Sequence, residues 1–145
     1  MATKQKVLRV SMYLKRNPNL TEEEFNHYWS HVHGPLVRPL VEKYGILKYT
    51  QYHTSSAVQQ STMAAWPELK ALDVTPYDGV AEFLVRDNVE GIKRSRDDPF
   101  FIEKVRPDEE KFFDVKGMAW TIGWEEVYVL DGRIVSDEEA WRHAP

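Results

Sequence analysis

The sequence has no cysteine. Disulfide staples, thiolate nucleophiles and Cys-type zinc or iron–sulfur sites are therefore excluded at the outset. It has no excess of positive charge: 19 Lys and Arg face 23 Asp and Glu, a formal net charge of -4. That balance, without a basic stripe carrying interleaved aromatics, argues against nucleic acid or an anionic membrane as the main partner. No apolar run approaches the ~18 residues of a membrane span, and residues 1–6 are polar. Neither a span nor a signal peptide is expected, and the cytosol (a cytoplasmic location) is the default. Several catalytic signatures are missing too. There is no Ser-His-Asp set around a nucleophile elbow, no Gly-rich phosphate loop, no His-Glu-x-x-His pattern and no pair of carboxylates that spacing alone brings together.

What is present is an ordinary globular composition. At 145 residues, 42% hydrophobic and 29% charged, the chain is long enough for one domain with a proper core. Five Trp, seven Tyr and six Phe make 12% aromatics, enough to line a flat apolar pocket as well as to fill a core.

One stretch organises the rest. Thr21 and Glu24 have the spacing of a capping box, and Glu22, Glu23 and Glu24 suit the positive end of a helix dipole. Phe25, Tyr28, Trp29 and Val32 follow at i, i+3, i+4, i+7 as one apolar stripe, and Gly34-Pro35 is expected to stop the helix. This places His33 at a helix end beside an aromatic seam, a position suited to acid–base chemistry.

Before it, residues 6–15 alternate as a strand, with Leu8, Val10, Met12 and Leu14 on its apolar face. After it come a short helix ended by Gly45 and a second strand over 46–54, with Leu47, Tyr49, Gln51 and His53 on one face. Residues 55–76 read as a helical insertion around Pro67. Gly79 to Val85 is a third strand, Asp87 is expected to cap a helix over 88–96, and Asp98-Pro99-Phe100 opens another that Pro107 interrupts. A long β segment spans 115–130, its small residues Gly117, Ala119, Thr121 and Gly123 leaving room on one face. Asp131-Gly132 is a turn, and 131–145 forms a C-terminal arm. The order is that of an α+β, ferredoxin-like βαββαβ domain: an antiparallel sheet with helices on one face. Val10, Met12 and Trp120 are expected on the uncovered face, where a second copy would shield them in a homodimer.

The run Lys15-Arg16-x-Pro18-x-Leu20-Thr21-x-Glu23-x-Phe25-x-x-Tyr28-Trp29-x-x-x-His33-x-Pro35-Leu36 resembles the EthD-domain family of dimeric α/β barrels. So do Asp98-Pro99-Phe100 and the acidic run Asp108-Glu109-Glu110 before Phe112 and Asp114. The insertion and the arm look like those of fungal members from aromatic polyketide pathways. The resemblance implies a homodimer built sheet to sheet, a cavity between each sheet and its own helices, and no organic cofactor. Within that group it is nearest to decarboxylases of atrochrysone-type carboxylic acids; cyclases, isomerases and monooxygenases also occur in the wider superfamily, and the alternatives are a cyclase, dehydratase or isomerase of the same pathway type, a cofactor-free monooxygenase, or a non-catalytic polyketide-binding protein.

For such a reaction His33 is the candidate acid–base group, the competing reading being a helix C-cap. His53 is a possible partner or simply a strand-end histidine. Tyr13, Tyr28, Tyr49 and Tyr52 are candidate phenol donors to a polyketide's oxygens; Trp29, Trp120 and Trp124 are candidate stacking surfaces, with core packing the alternative for each. His27 and His31 are spaced i, i+4 as a helical metal pair would be, but on a polar face, and no metal is expected.

Overall fold

A computed structural model describes residues 7–140. Strand β1 (Val7–Leu14) runs along the middle of a sheet in the order β2-β3-β1-β4, with β2 at Lys48–His53, β3 at Gly79–Arg86 and β4 at Ala119–Trp124, every neighbour antiparallel. Helices α1 (Glu22–Tyr28) and α2 (Gly34–Lys43) join β1 to β2. Helices α4 (Glu90–Asp97) and α5 (Arg106–Phe112) join β3 to β4. The fold is therefore the ferredoxin-like α+β sheet that the element order implies. The insertion forms α3 (Ser56–Ala65) and a 3-10 turn at Pro67–Ala71. The long β segment breaks after Trp124; a hairpin of β5 (Val129–Leu130) and β6 (Arg133–Ile134) turns at Asp131-Gly132, both with positive φ, and leads to α6 (Asp137–Ala140). Residues 141–145 of the expected arm lie outside the described residues.

The capping box forms as spaced: Glu24 N–H donates to Thr21 Oγ1 at 3.1 Å and Thr21 N–H to the Glu24 carboxylate at 2.8 Å. Gly34-Pro35, however, does not stop the helix. A π-helical turn at Trp29–His33 carries α1 directly into α2, with Gly34 N–H bonding back to the Trp29 carbonyl. The five-residue turn shifts the carbonyl row by one position, and Pro35, lacking an N–H, forfeits no bond there. It also rotates the buried stripe. Phe25, Trp29 and His33 face inward while Val32 swings out to 43% exposure.

The second half repeats the device. A π turn at Phe101–Val105 leads through Arg106 into α5, and Pro107 is absorbed in its first turn rather than interrupting it. Asp98 opens this helix by accepting Phe100 N–H at 2.8 Å, and also takes Lys43 Nζ and the Tyr44 hydroxyl at 2.7 Å each, tying it to the end of α2. Asp87 is not a cap: it lies at φ 60, and Asn88 Oδ1 accepts the Glu90 N–H instead.

Register decides which sheet face meets the helices. Met12 pairs with Ala81 and Trp120, and Val10 with Phe83 and Ile122, while Phe83 also pairs with Tyr49. Met12, Ala81, Phe83 and Tyr49 line a cavity against helical residues, so this is the covered face. The expectation that Val10 and Met12 lie on the uncovered face is thus reversed. The other face carries Arg9, Ser11, Tyr13, Thr50 and Glu82, with Arg9 ion-paired to Glu82 and Glu125, and Ala119, Thr121 and Gly123 lie there rather than beside the cavity. Trp120, on the helix side, is nonetheless 67% exposed because β4 is an edge strand beyond the reach of the helices.

Candidate active site

The helices and the sheet enclose a cavity of about 450 Å³, lined mainly by apolar side chains of β1, β3, α2 and the second π turn. Its polar lining is sparse: His33, Tyr49, Ser95, Arg96 and Glu109. Both π turns deliver site groups, as such turns often do. The first sends Trp29 and His33 inward. The second leads into α5, which carries Asp108 and Glu109.

His33 is buried, packed against the rings of Phe112 and Phe113 at 4.8 and 5.7 Å. Its Nδ1 donates to Asp108 Oδ2 at 2.9 Å, the two side chains being 6% and 7% exposed. The Tyr28 hydroxyl donates to the other oxygen of Asp108. With a carboxylate on Nδ1, that nitrogen carries the hydrogen of the neutral ring, and Nε2 presents its lone pair. Burial pushes His33 below the ordinary histidine range, against the opposing pull of Asp108. Tyr28 is pushed up to about 12, first by burial and then by Asp108, so it remains a donor.

Glu109, one residue on from Asp108, lines the same cavity. Burial raises its pKa, partly offset by Arg96, whose guanidinium lies 3.8 Å away and 4.4 Å over the Phe101 ring. On the opposite strand a separate network forms. Gln51 Nε2 donates to the Trp29 carbonyl at 2.9 Å and to the Tyr49 hydroxyl oxygen at 3.2 Å. His53 Nε2 lies 2.9 Å from Gln51 Oε1, and His53 Nδ1 lies 2.6 Å from the Asn26 side-chain amide. Gly34 makes room for this network: a Cβ there would stand 2.8 Å from Gln51 Nε2. Gly79 does the same for the Trp29 ring, at 2.6 Å.

The candidate residues therefore divide. His33, Trp29 and Tyr49 line the cavity. Tyr28 stands behind, on Asp108. His53 packs against Trp29 at a centroid distance of 4.5 Å with the rings tilted by 44°, and it is linked to the cavity residue Tyr49 through Gln51. Tyr13 lies on the outer sheet face against Tyr77, with Tyr52 exposed on the same face. His27 and His31 stack at 4.3 Å on the surface. No group of three or more His, Cys, Asp or Glu is placed to hold a metal among the described residues. Asp108 and Glu109 are the groups that spacing missed. A signal existed: Phe101, Val105, Asp108 and Phe112 form one helical stripe, and a carboxylate on an apolar stripe marks a buried one.

The sequence pattern of the EthD domain matches residues 17–116. The chain belongs to the EthD domain family. It is 35% identical over 129 residues to the dehydratase aurZ of Gibberella zeae, covering 88% of this chain and 82% of that protein. It is 33% identical over 132 residues to the conidial pigment biosynthesis dehydratase EthD of Metarhizium robertsii, covering 90% and 91%. The decarboxylase nsrE of Aspergillus novofumigatus is 35% identical over 120 residues, covering 83% and 78%. Among solved structures, an EthD-like protein from Ralstonia eutropha superposes with a TM-score of 0.51 at 13% identity over 86% of this chain and 95% of that one. A DABB family protein with a ferredoxin-like fold from Mesorhizobium loti gives 0.50 at 12% identity, over 82% and 96%. These structural likenesses extend the EthD assignment to the fold alone. No helix among the described residues is long and apolar enough to cross a membrane.

Proposed function

We propose that this EthD-domain protein is a lyase that acts on an aromatic polyketide without an organic cofactor, by proton transfer through His33. One observation carries the reading: Asp108 occupies Nδ1 of a buried histidine that lines the cavity, which leaves Nε2 as the base, and burial favours the neutral ring. A neutral base in an apolar pocket suits removal of a proton next to a carbonyl. In a β-hydroxy ketone the C–H pair becomes an enolate, which forms the C=C bond as the β-hydroxyl departs. Glu109, its pKa raised by burial, supplies the proton with which that hydroxyl leaves as water. Burial lowers the pKa of His33 and raises that of Glu109, favouring the neutral form of each, and the two divide the work as base and acid. This dehydration agrees with the names of two of the relatives.

A second reading is decarboxylation of an aromatic polyketide carboxylic acid of the atrochrysone carboxylic acid type. Arg96 favours it, as the cation that Phe101 holds at the cavity and that would seat a carboxylate. A relative named decarboxylase supports it. Here His33 Nε2 first takes the proton of the carboxylic acid; the C–C bond then breaks to release carbon dioxide, and the enolate left behind takes that proton back at carbon. Incubation with the carboxylated product released by a non-reducing polyketide synthase, followed by mass spectrometry, tests both. Loss of water supports the first reading and loss of carbon dioxide the second. Binding without turnover leaves a carrier and refutes both.

The proposal includes a homodimer. Trp120, Ile122 and Trp124 form an exposed apolar row on the edge strand, and Val129, Leu130 and Ile134 of the hairpin are exposed as well. Such a surface is suited to a second copy.

A further inference from the structure

We infer that Arg96 and Glu109 form an exchangeable ion pair at the cavity mouth, and that an ionised carboxylate on the substrate takes Arg96 from Glu109, which then takes up a proton and becomes the acid. Both side chains line the cavity. The Arg96 side chain is 52% exposed and that of Glu109 18%, so the pair stands where the cavity opens to solvent, with the carboxylate on the inner side. Its nitrogen and oxygen are 3.8 Å apart. That is about 1 Å longer than a charge-assisted hydrogen bond, so breaking the pair forfeits none. The guanidinium does not depend on Glu109 for its place. It lies 4.4 Å from the centroid of the buried Phe101 ring, a contact that persists when its partner changes. A planar fork held on a fixed ring matches a carboxylate bidentately.

The charges around Glu109 fix the consequence. Arg96 on α4 is the cation paired with it; Arg106, on its own helix and 5.5 Å from the same Phe101 ring, acts at longer range. Asp108 and Glu110 flank it as like charges, and Tyr49 faces it from β2 as a neutral phenol. His33 is turned to Asp108. Once a substrate carboxylate neutralises Arg96 and the ligand displaces water, Glu109 is a desolvated carboxylate beside two others, and its neutral form is favoured. The exchange binds one carboxylate and takes one proton from solvent, with no covalent change. The inference deepens the dehydration reading and rests on it for the chemistry. The proton taken up is the one that leaves with the β-hydroxyl as water, while the substrate carboxylate stays in the product. The substrate class is accordingly an aromatic polyketide that still carries its carboxyl group.

The exchange can be tested without turnover. 2-Naphthoate supplies the carboxylate on a flat ring, and methyl 2-naphthoate is the same ring without the charge. Titration calorimetry near neutral pH, in two buffers of different ionisation enthalpy, counts the protons taken up per probe bound. We expect uptake with naphthoate, approaching one proton per site, and none with the ester. Glu109→Gln should abolish the uptake while naphthoate still binds. Arg96→Met should weaken naphthoate binding about tenfold or more and leave the ester within about twofold, which also shows the cavity intact. With a polyketide acid, Arg96→Met should raise KM about tenfold or more with kcat within about threefold, because Glu109 without its cation is already the acid. Glu109→Gln should instead lower kcat about 10²–10⁴-fold. No binding of either probe, naphthoate binding without uptake, uptake that persists in Glu109→Gln, or naphthoate affinity unchanged in Arg96→Met overturns the exchange. If uptake is present and lost as expected but no polyketide acid is dehydrated, the exchange stands and the dehydration reading falls. Dehydration without uptake keeps that reading and removes the exchange.

Discussion

Replacing Asp108 separates what this carboxylate does for the fold from what it does for His33. It accepts two hydrogen bonds, from His33 Nδ1 and from the Tyr28 hydroxyl, and its side chain is 7% exposed. Asp108→Ala leaves both donors unpaired. At about 1–3 kcal/mol each the loss is about 2–6 kcal/mol, or roughly 5–20 °C in Tm for a domain of this size. Asp108→Asn keeps an acceptor for Tyr28 and gives His33 Nδ1 an N–H donor, so its stability cost should be nearer 1 kcal/mol. The same N–H forces the imidazole hydrogen onto Nε2, and the base is lost. Turnover should therefore fall about 10²–10⁴-fold in Asp108→Asn while Tm changes little.

The pH profile adds a second readout. Wild-type activity should fall on the acid side with a midpoint below the histidine value of 6.5, because burial outweighs the pull of Asp108. In Asp108→Asn the residual limb should move lower still, since the charge is gone and the burial remains. The measurements are steady-state product formation by liquid chromatography with mass detection and thermal melts by circular dichroism. Turnover of Asp108→Asn within about threefold of wild type would refute the tautomer argument. So would equal destabilisation by Asn and Ala.

His33→Gln keeps a hydrogen-bonding side chain but cannot shuttle a proton; turnover should drop about 10²–10⁴-fold, and retention within about threefold with a lowered Tm would make His33 a structural group. Gly79→Ala should cost about 1–3 kcal/mol in urea unfolding, because its Cβ would stand 2.6 Å from the buried Trp29 ring, and an unchanged midpoint would mean that the ring has other room. Light scattering should find a mass near twice 17.0 kDa, and a stable monomer at micromolar concentration would leave the Trp120 row without a second copy. Asp98 is drawn down from 3.8 to about 2 by Lys43, then Tyr44 and the Phe100 N–H. Its folded pKa is the lower one, so its stabilisation is present above pH 3.8 and is lost as pH falls toward 2. Lys43→Met should flatten that acid limb, and superimposable melting curves from pH 5 to 2 would show that the pair contributes nothing.

Local physics was legible wherever neighbours in sequence are neighbours in space. The Thr21–Glu24 capping box, the alternation of β1, the Asp98 opening and the Asp131-Gly132 turn all follow from contacts within a few residues. The element order carried the ferredoxin-like sheet for the same reason. Gly34-Pro35 misled because a local rule was overridden: the π turn that spares Pro35 a lost bond is held by burial of Phe25, Trp29 and His33, which only packing against the sheet provides. The choice of sheet face was likewise beyond reach. Alternation shows that Met12 and Arg9 point opposite ways, but which side the helices take depends on both crossovers together. The site is the extreme case. His33 could be singled out by its motif, whereas its partner Asp108 lies 75 residues away and meets it only when α5 packs beside the first π turn. Spacing along a chain encodes helix faces and strand faces. The tautomer and the depressed pKa of His33 come from a carboxylate and a desolvated cavity that exist only after the two halves of the chain have packed together.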